Sequence, residues 1–171
     1  AFLLPSFLAA FGCVALVYDL GRRLWNREAG LAGALALLFT VQFVWQARQA
    51  QIDATLCFWT TLSLYGLLRH LLLGPSWRWY TIGWAAAGLG VITKGVGFLP
   101  LLILVPFAML RDPRWQPRKA SGGGARWLLG PLAFLTAIGI WLVPLLIVAG
   151  NDPTLAAYRD EILFEQTVQR Y

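Results

Sequence analysis

Residues 29–53 read AGLAGALALLFTVQFVWQARQAQID, and residues 54–73 continue as ATLCFWTTLSLYGLLRHLLL. Two long apolar runs are therefore joined by a short polar segment, residues 46–53, which carries the charged side chains of Arg48 and Asp53. Continuous apolar runs of this length are typical of helices that cross a membrane. Because charge is costly next to lipid and usually has a purpose there, this corner is a candidate functional site at a membrane face.

The composition of the whole chain supports a membrane protein. Hydrophobic residues make up 58% of the sequence and charged residues 13%, whereas soluble domains carry about 25% charged residues. Only helices and closed barrels can span lipid, and the apolar runs do not alternate, so helices are expected. The sequence predicts an all-α polytopic membrane protein with about six transmembrane helices, at approximately 2–20, 29–46, 54–73, 79–93, 96–110 and 127–149.

Two of the predicted spans are short for a bilayer. The runs at 79–93 and 96–110 are separated only by Thr93-Lys94-Gly95, which predicts a tight helical hairpin. We assign residues 1–150 to the transmembrane region and residues 151–171 to the start of an outer loop. That loop is expected to contain an amphipathic helix on the outer face. Since the chain begins without Met and its ends look cut, we expect it to be a fragment of a longer protein.

The basic residues are distributed unevenly between the predicted loops. If the loops at 21–28, 74–78 and 111–126 face one side, together with the adjoining helix end that carries Arg69 and His70, ten Lys and Arg residues lie there and four on the opposite side. With the acidic residues included, the two sides carry charges of +7 and −1. The basic side is therefore predicted to be cytoplasmic. Topology explains the net charge of +6, so the expected partner is the lipid bilayer and no nucleic acid is expected.

The outer side collects four candidate site residues: Arg48, Asp53, Lys94 and Arg170. Asp53 is either a carboxylate favoured by the dipole at the start of a helix or a carboxylate that orients a substrate hydroxyl, amine or cation. Arg48 is either a C-terminal helix cap or a planar ligand for phosphate or carboxylate.

Lys94 and Arg170 have similar alternatives. Lys94 either snorkels to the interface or lines an outward cavity for an anionic ligand, paired with Asp53. Arg170 belongs either to a solvated surface helix or to a phosphate clamp just above the headgroups. Together the four residues predict a cationic pocket at membrane level. Cys13 and Cys57 lie in mid-span, so we expect buried thiols without a disulfide, and no metal site is expected.

Four sequence blocks, in this order, resemble the bacterial aminoarabinose transferase and protein O-mannosyltransferase superfamily. They are Leu4-Pro5-Ser6-Phe7-Leu8-Ala9, Val17-Tyr18-Asp19-Leu20-Gly21-Arg22-Arg23-Leu24, Gln46-Ala47-Arg48-Gln49-Ala50-Gln51-Ile52-Asp53 and Gly88-Leu89-Gly90-Val91-Ile92-Thr93-Lys94-Gly95. The resemblance covers nearly the whole chain. It departs from the family pattern at Leu4, where arginine is common, and at Val96, where proline often follows Thr-Lys-Gly.

The resemblance implies a membrane glycosyltransferase of the GT-C type in the cell inner membrane. No cofactor is expected. Such enzymes move a sugar from a polyprenyl-phosphate donor to a lipid or protein acceptor on the outer face. It implies a cavity carboxylate at Asp53 and a contact of Arg170 with the carrier phosphate. It also implies that the main catalytic acidic residue precedes Ala1, so that this chain alone is inactive.

Two other functions fit the same residues. A secondary transporter or flippase for an anionic lipid or solute also places lysine and aspartate beside a membrane cavity. A non-catalytic membrane scaffold needs the outer charges only for helix capping and solvent contact.

Overall fold

The computed structural model of the chain describes residues 3–49, 52–110 and 124–151. Within these ranges every regular element is a helix, which confirms the all-α prediction. The elements are α1 (Leu4–Leu24), α2 (Arg27–Phe39), α3 (Val41–Ala47), α4 (Ile52–Leu72), α5 (Trp77–Lys94), a 3-10 helix (Val96–Ile103), α6 (Leu104–Leu110), a 3-10 turn (Ala125–Leu128) and α7 (Leu129–Asn151). Arg170 and the predicted outer helix lie outside the described residues.

By length and composition, two helices of the described part can cross a membrane. They are Leu4–Leu24, with a mean hydropathy of 1.6, and Ala125–Val148, with a mean hydropathy of 2.3. A third crossing is added if Arg27–Phe39 and Val41–Ala47 form one bent span. This is fewer than the six crossings predicted from the sequence. Helix α4 is one of the predicted crossings that do not qualify. Asp53 and Arg69 lie near its ends, and these charged residues lower its mean hydropathy.

The predicted helix at 29–46 is interrupted, which corrects the expectation of one continuous element. The axes of α2 and α3 differ by 70°, and the break falls at Thr40, whose backbone is extended (φ −71°, ψ 111°). The Thr40 hydroxyl donates a hydrogen bond to the carbonyl of Ala36 at 2.9 Å. Such bonding from a threonine hydroxyl to a carbonyl four residues earlier often bends a helix. The chain therefore already turns at Thr40, before it reaches the polar segment with Arg48.

The chain reverses direction after Lys94, as the hairpin prediction required. Gly95 takes a positive φ of 60°, a conformation that glycine adopts at little cost. The 3-10 helix then packs back on α5 so closely that a Cβ atom on Gly97 would overlap the backbone of Gly90 and Val91. A 3-10 helix rises about 2.0 Å per residue, so the stretch from Val96 to Leu110 reaches about 26 Å. The segment is thus longer than an α-helix of the same sequence length.

Helices α1 and α4 run in the same direction. The sulfur atoms of Cys13 and Cys57 lie 3.8 Å apart, and six residues further along α1 the carboxylate of Asp19 meets the hydroxyl of Tyr65 on α4. Both cysteines are free thiols. Because the order of these contacts is the same on both helices, α1 and α4 end on the same side of the bundle.

Helices α4 and α5 form a close antiparallel pair. A Cβ atom added to Gly66 would lie 2.5 Å from the carbonyl oxygen of Trp79 and 2.9 Å from the Gly83 backbone. Small residues at membrane helix interfaces allow this kind of backbone approach. On its other side α5 packs against α7, where a Cβ atom on Gly88 would lie 2.8 Å from the carbonyl oxygen of Phe134. Helix α5 is therefore enclosed between α4 and α7.

The outward surfaces of α1 and α7 are apolar. On α7 the side chains of Leu132, Leu135 and Ile140 are 61%, 63% and 74% exposed. On α1, Phe7 and Phe11 are similarly uncovered. Patches of this kind on a soluble protein mark an interaction surface, and on a chain of this composition they fit contact with lipid tails.

Candidate functional site

The structure joins two of the four predicted site residues. The ammonium group of Lys94 donates a hydrogen bond to Oδ1 of Asp53 at 2.7 Å, and the two groups form an ion pair. Asp53 lies in the first turn of α4 and Lys94 is the last residue of α5. Because α4 and α5 are antiparallel, the beginning of one and the end of the other fall at the same end of the bundle.

Both charges of this pair are placed where the helix dipoles favour them. A carboxylate is stabilised at a helix N-terminus and an ammonium group at a C-terminus, each by about 0.3–1 kcal/mol. The side chains of Asp53 and Lys94 remain 36% and 46% exposed. An exposed ion pair in water contributes about 0–1 kcal/mol to stability. The main effect of the pair is therefore to hold two charged groups in fixed positions, and its contribution to the stability of the fold is small. The net charge of the pair is zero.

Lys94 is anchored by the regular end of α5. The N–H group of Gly95 donates to the carbonyl of Val91 at 2.7 Å, and the hydroxyl of Thr93 donates to the carbonyl of Leu89 at 2.8 Å. The turn at Gly95 then ends the helix. Lys94 thus projects from a fixed backbone position at the tip of the α5 hairpin.

Arg48 is the C-cap residue of α3. Its backbone N–H group donates a shared hydrogen bond to two carbonyl groups, those of Val44 at 3.3 Å and Trp45 at 3.2 Å. Its side chain is exposed and forms no ion pair with another described residue. The capping interpretation of Arg48 fits this geometry, and its assignment to a ligand site remains a prediction.

Comparison of the sequence with protein-family models identifies the family of the chain. The family model for dolichyl-phosphate-mannose-protein mannosyltransferase matches residues 1–148. The chain belongs to this family. This confirms the resemblance found in the four sequence blocks. Both Asp53 and Lys94 lie within the residues that the family model matches.

Two curated relatives of this mannosyltransferase-family chain come from Pseudomonas fluorescens. They are the undecaprenyl phosphate-alpha-4-amino-4-deoxy-L-arabinose arabinosyl transferase 1 of strain Pf-5 and transferase 2 of strain Pf0-1. Each is 34% identical over 148 residues, which covers 82% of this chain and 25% of the relative. The chain thus spans about a quarter of the length of these relatives. No solved structure matches the chain at a comparable level.

A second polar network lies at the other end of α4, and the sequence analysis did not identify it. The carboxylate of Asp19 accepts hydrogen bonds from Arg22 at 2.6 Å and from Nε of Arg23 at 2.5 Å. It also accepts one from the hydroxyl of Tyr65 at 2.5 Å. The spacing of the two arginines three and four residues after Asp19 is a visible sequence signal. The bond to Tyr65 joins α1 to α4.

Arg69 continues this network toward α5. One of its terminal nitrogens donates to the hydroxyl of Tyr65 at 2.8 Å. Its guanidinium carbon lies 4.7 Å from the centre of the Trp79 ring, within the range of a cation–π interaction. The network therefore connects α1, α4 and α5 at the arginine-rich end of the bundle.

Aromatic side chains close the same end of the bundle. His70 is 3% exposed, and its ring lies 4.8 Å from both Trp77 and Tyr80 and 5.4 Å from Trp127. The hydroxyl of Tyr80 donates to the carbonyl of Trp127 at 3.1 Å, which ties α5 to the start of α7. Trp77 and Trp127 also pack against each other, with their ring centres 5.7 Å apart. In the described part of the chain no three His, Cys, Asp or Glu residues form a metal-binding group.

Proposed function

We propose that this chain is part of an integral membrane glycosyltransferase of the GT-C type. The full protein transfers a sugar from a polyprenyl-phosphate donor to a lipid or protein acceptor on the outer face of the cell inner membrane. The observation that carries the proposal is the match over 148 residues to two relatives named as arabinosyl transferases. A pentose such as aminoarabinose is therefore the first sugar to test, with lipid A as the first acceptor.

We further propose that the chain crosses the membrane six times. The directions of the packed helices support this order, since α1 and α4 run one way and α5 runs the other. The 3-10 geometry after Gly95 supplies the extra length that the fifth crossing needs. In this arrangement the ends that carry Arg23 and Arg69 face the cytoplasm, and the Asp53–Lys94 pair faces outward.

The outer pair would form one wall of the sugar-donor site. Lys94 supplies a cation for the donor phosphate, and Asp53 orients a hydroxyl, an amine or the lysine itself. The 2.7 Å contact between them supports a shared role, because a hydrogen bond to Asp53 fixes the position of the Lys94 ammonium group. Arg48 and Arg170 are proposed as additional phosphate ligands on the same side.

The chemistry follows from the groups that react. The acceptor nucleophile attacks the anomeric carbon of the sugar, a general base removes its proton, and the bond to the carrier phosphate breaks. The leaving polyprenyl phosphate gains negative charge, which a nearby cation stabilises in the transition state. Because the chain spans a quarter of the relatives' length, we assign the general base to the rest of the full protein.

The test is a transfer assay with the full-length protein in liposomes. Undecaprenyl phosphate that carries labelled 4-amino-4-deoxy-L-arabinose is mixed with lipid A, and labelled lipid A is measured. The proposal predicts time-dependent transfer that requires the protein. Movement of the labelled donor across the bilayer without transfer to any lipid or protein acceptor would instead indicate a flippase.

A further inference from the structure

A cavity of about 550 Å³ lies at the arginine-rich end of the bundle. It is lined by Arg23, Arg69, Leu73, Gly74, Pro75 and Ser76. Arg69 is about 24 Å along α4 from Asp53, given the helical rise of 1.5 Å per residue. The proposed sugar site therefore does not use this cavity. Its volume falls in the range of about 300–1,000 Å³ that is typical of ligand sites.

The two arginines of the cavity come from different helices and are held in place by other side chains. Arg23, in the last turn of α1, donates through Nε to Asp19 at 2.5 Å. Arg69, in the last turn of α4, donates through one terminal nitrogen to Tyr65 and lies 4.7 Å from the Trp79 ring centre. A guanidinium group has five N–H donors. Each arginine is thus oriented by one hydrogen bond that uses a small part of its donor capacity.

The charges around the cavity do not cancel. Arg22 and Arg23 form ion pairs with the carboxylate of Asp19. Arg69 is linked to the same carboxylate through the Tyr65 hydroxyl. The network therefore carries a net charge of about +2 at neutral pH, since arginine stays protonated. Such an excess of positive charge beside an open cavity favours an anionic ligand.

The loop that leads into α5 also lines the cavity. Ser76 is the N-cap residue of α5, yet its side chain makes no capping hydrogen bond. Its backbone N–H group donates to Nδ1 of His70 at 3.1 Å, which fixes the loop on α4. Gly74 has a φ of 118°, and a Cβ atom there would meet nothing within 4 Å. The start of an 18-residue helix, with its unpaired N–H groups, thus borders the cavity.

We propose that this cavity binds the phosphate group of an anionic ligand. The planar fork of arginine matches phosphate oxygens, and a helix N-terminus adds N–H donors and a favourable dipole. Two sources carry this chemistry: the headgroup of an anionic membrane phospholipid and a water-soluble phosphate ester. The site goes beyond the proposed transferase function, because it lies at the other end of α4 from the Asp53–Lys94 pair.

Two probes separate these sources in a binding experiment. The full-length protein in detergent is titrated with phosphatidylglycerol, and bound lipid is counted by native mass spectrometry. Titration with sn-glycerol 3-phosphate provides the arm without acyl chains. Arg23→Gln is expected to raise the dissociation constant of the bound probe about tenfold, the effect of losing one charge-assisted contact.

Arg22→Gln is the matched control. Arg22 is adjacent to Arg23, carries the same charge and binds the same carboxylate, but it does not line the cavity. Ser76→Asp is the second variant. Aspartate is a good N-cap residue and preserves the start of α5, while its charge repels an anion in the cavity. It should weaken binding about tenfold or more without lowering the unfolding temperature.

Every outcome bears on the site. Binding of phosphatidylglycerol that is weakened by Arg23→Gln and Ser76→Asp, and clearly less by Arg22→Gln, supports a lipid headgroup. The same dependence for glycerol phosphate alone supports a soluble phosphate ester. The proposal is overturned if neither probe binds, if Ser76→Asp leaves binding unchanged, or if Arg22→Gln weakens it as much as Arg23→Gln.

Discussion

Lys94 and Asp53 are separated by 41 residues along the chain, and their side chains meet at 2.7 Å. The contact joins the end of α5 to the beginning of α4. At the opposite end of the same two helices, Arg69 of α4 lies on the ring of Trp79 of α5 at 4.7 Å. The antiparallel pair is thus linked by charged side chains at both ends, and each link borders one of the two sites proposed for this chain.

The close approach of α4 and α5 predicts a strong effect of a single methyl group. Gly66→Ala places a Cβ atom 2.5 Å from the carbonyl oxygen of Trp79, so the two backbones must separate. We expect a loss of about 1–3 kcal/mol in the free energy of unfolding, as for other overpacked interfaces. Thermal or denaturant unfolding of the purified protein in detergent measures this loss.

Gly139→Ala is the control for that substitution. Gly139 lies in α7, and a Cβ atom there would meet nothing within 4 Å. Replacing an unconstrained helix glycine by alanine stabilises by about 0.5–1 kcal/mol. Equal destabilisation by both substitutions would contradict the packing described for α4 and α5.

The contact between α1 and α4 predicts a second measurable difference. Tyr65→Phe removes the 2.5 Å hydrogen bond to the Asp19 carboxylate and the acceptor used by Arg69. Hydrogen bonds to charged groups contribute about 1.5–3 kcal/mol, so unfolding should occur at a clearly lower temperature. Tyr18→Phe is the matched control, because Tyr18 lies near Arg22 through its ring and its hydroxyl has no hydrogen bond among the described residues. Similar unfolding temperatures for the two variants would show that the Asp19 network does not join the helices.

The proposed topology predicts which positions are accessible from outside the cell. Gln49→Cys and Gly124→Cys are made in a background without other reactive thiols, with Cys13 and Cys57 replaced by alanine. An impermeant maleimide should label position 49 on intact cells and position 124 only after the membrane is opened. These positions lie at opposite ends of the bundle: Gln49 follows Arg48, and Gly124 lies two residues before Arg126. The reverse pattern of labelling would invert the orientation assigned from the basic residues.

Part of this structure was predictable from the sequence because it is encoded locally. Apolar composition predicts helices, and a glycine after Lys94 predicts the reversal of the chain. The polar segment around Asp53 stands out because few charges interrupt the surrounding apolar runs. The contact of Asp53 with Lys94 depends on the antiparallel packing of α4 on α5, which no local pattern encodes.

Other features depend on contacts between distant residues. The 3-10 segment after Gly95 packs closely on α5, whereas the helix break at Thr40 involves a local hydrogen bond to Ala36, and apolarity alone reveals neither feature. The bond from Tyr65 to Asp19 spans 46 residues, so the spacing of Asp19 and its arginines predicts only the local ion pairs. The cavity lined by Arg23 and Arg69 is formed by three separate segments: the end of α1, the end of α4 and the loop before α5. No sequence pattern indicates that these segments meet.

The Asp53–Lys94 pair is proposed to act on the sugar donor. The direct test is the transfer assay with four versions of the full-length protein: wild type, Asp53→Asn, Lys94→Gln, and the exchanged variant Asp53→Lys/Lys94→Asp. A role limited to the ion pair predicts recovery in the exchanged variant, because opposite charges again face each other. The exposed pair contributes little to stability, so the two single variants should unfold near the wild-type temperature. The exchanged variant should unfold at a somewhat lower temperature, because both of its charges oppose the helix dipoles.

Both single variants should lose at least about tenfold in transfer rate, which corresponds to about 1.4 kcal/mol in the activation barrier. The exchanged variant should stay inactive, since the cation no longer lies where the donor phosphate is bound. Wild-type rates in Asp53→Asn and Lys94→Gln, or full recovery in the exchanged variant, would contradict the claim.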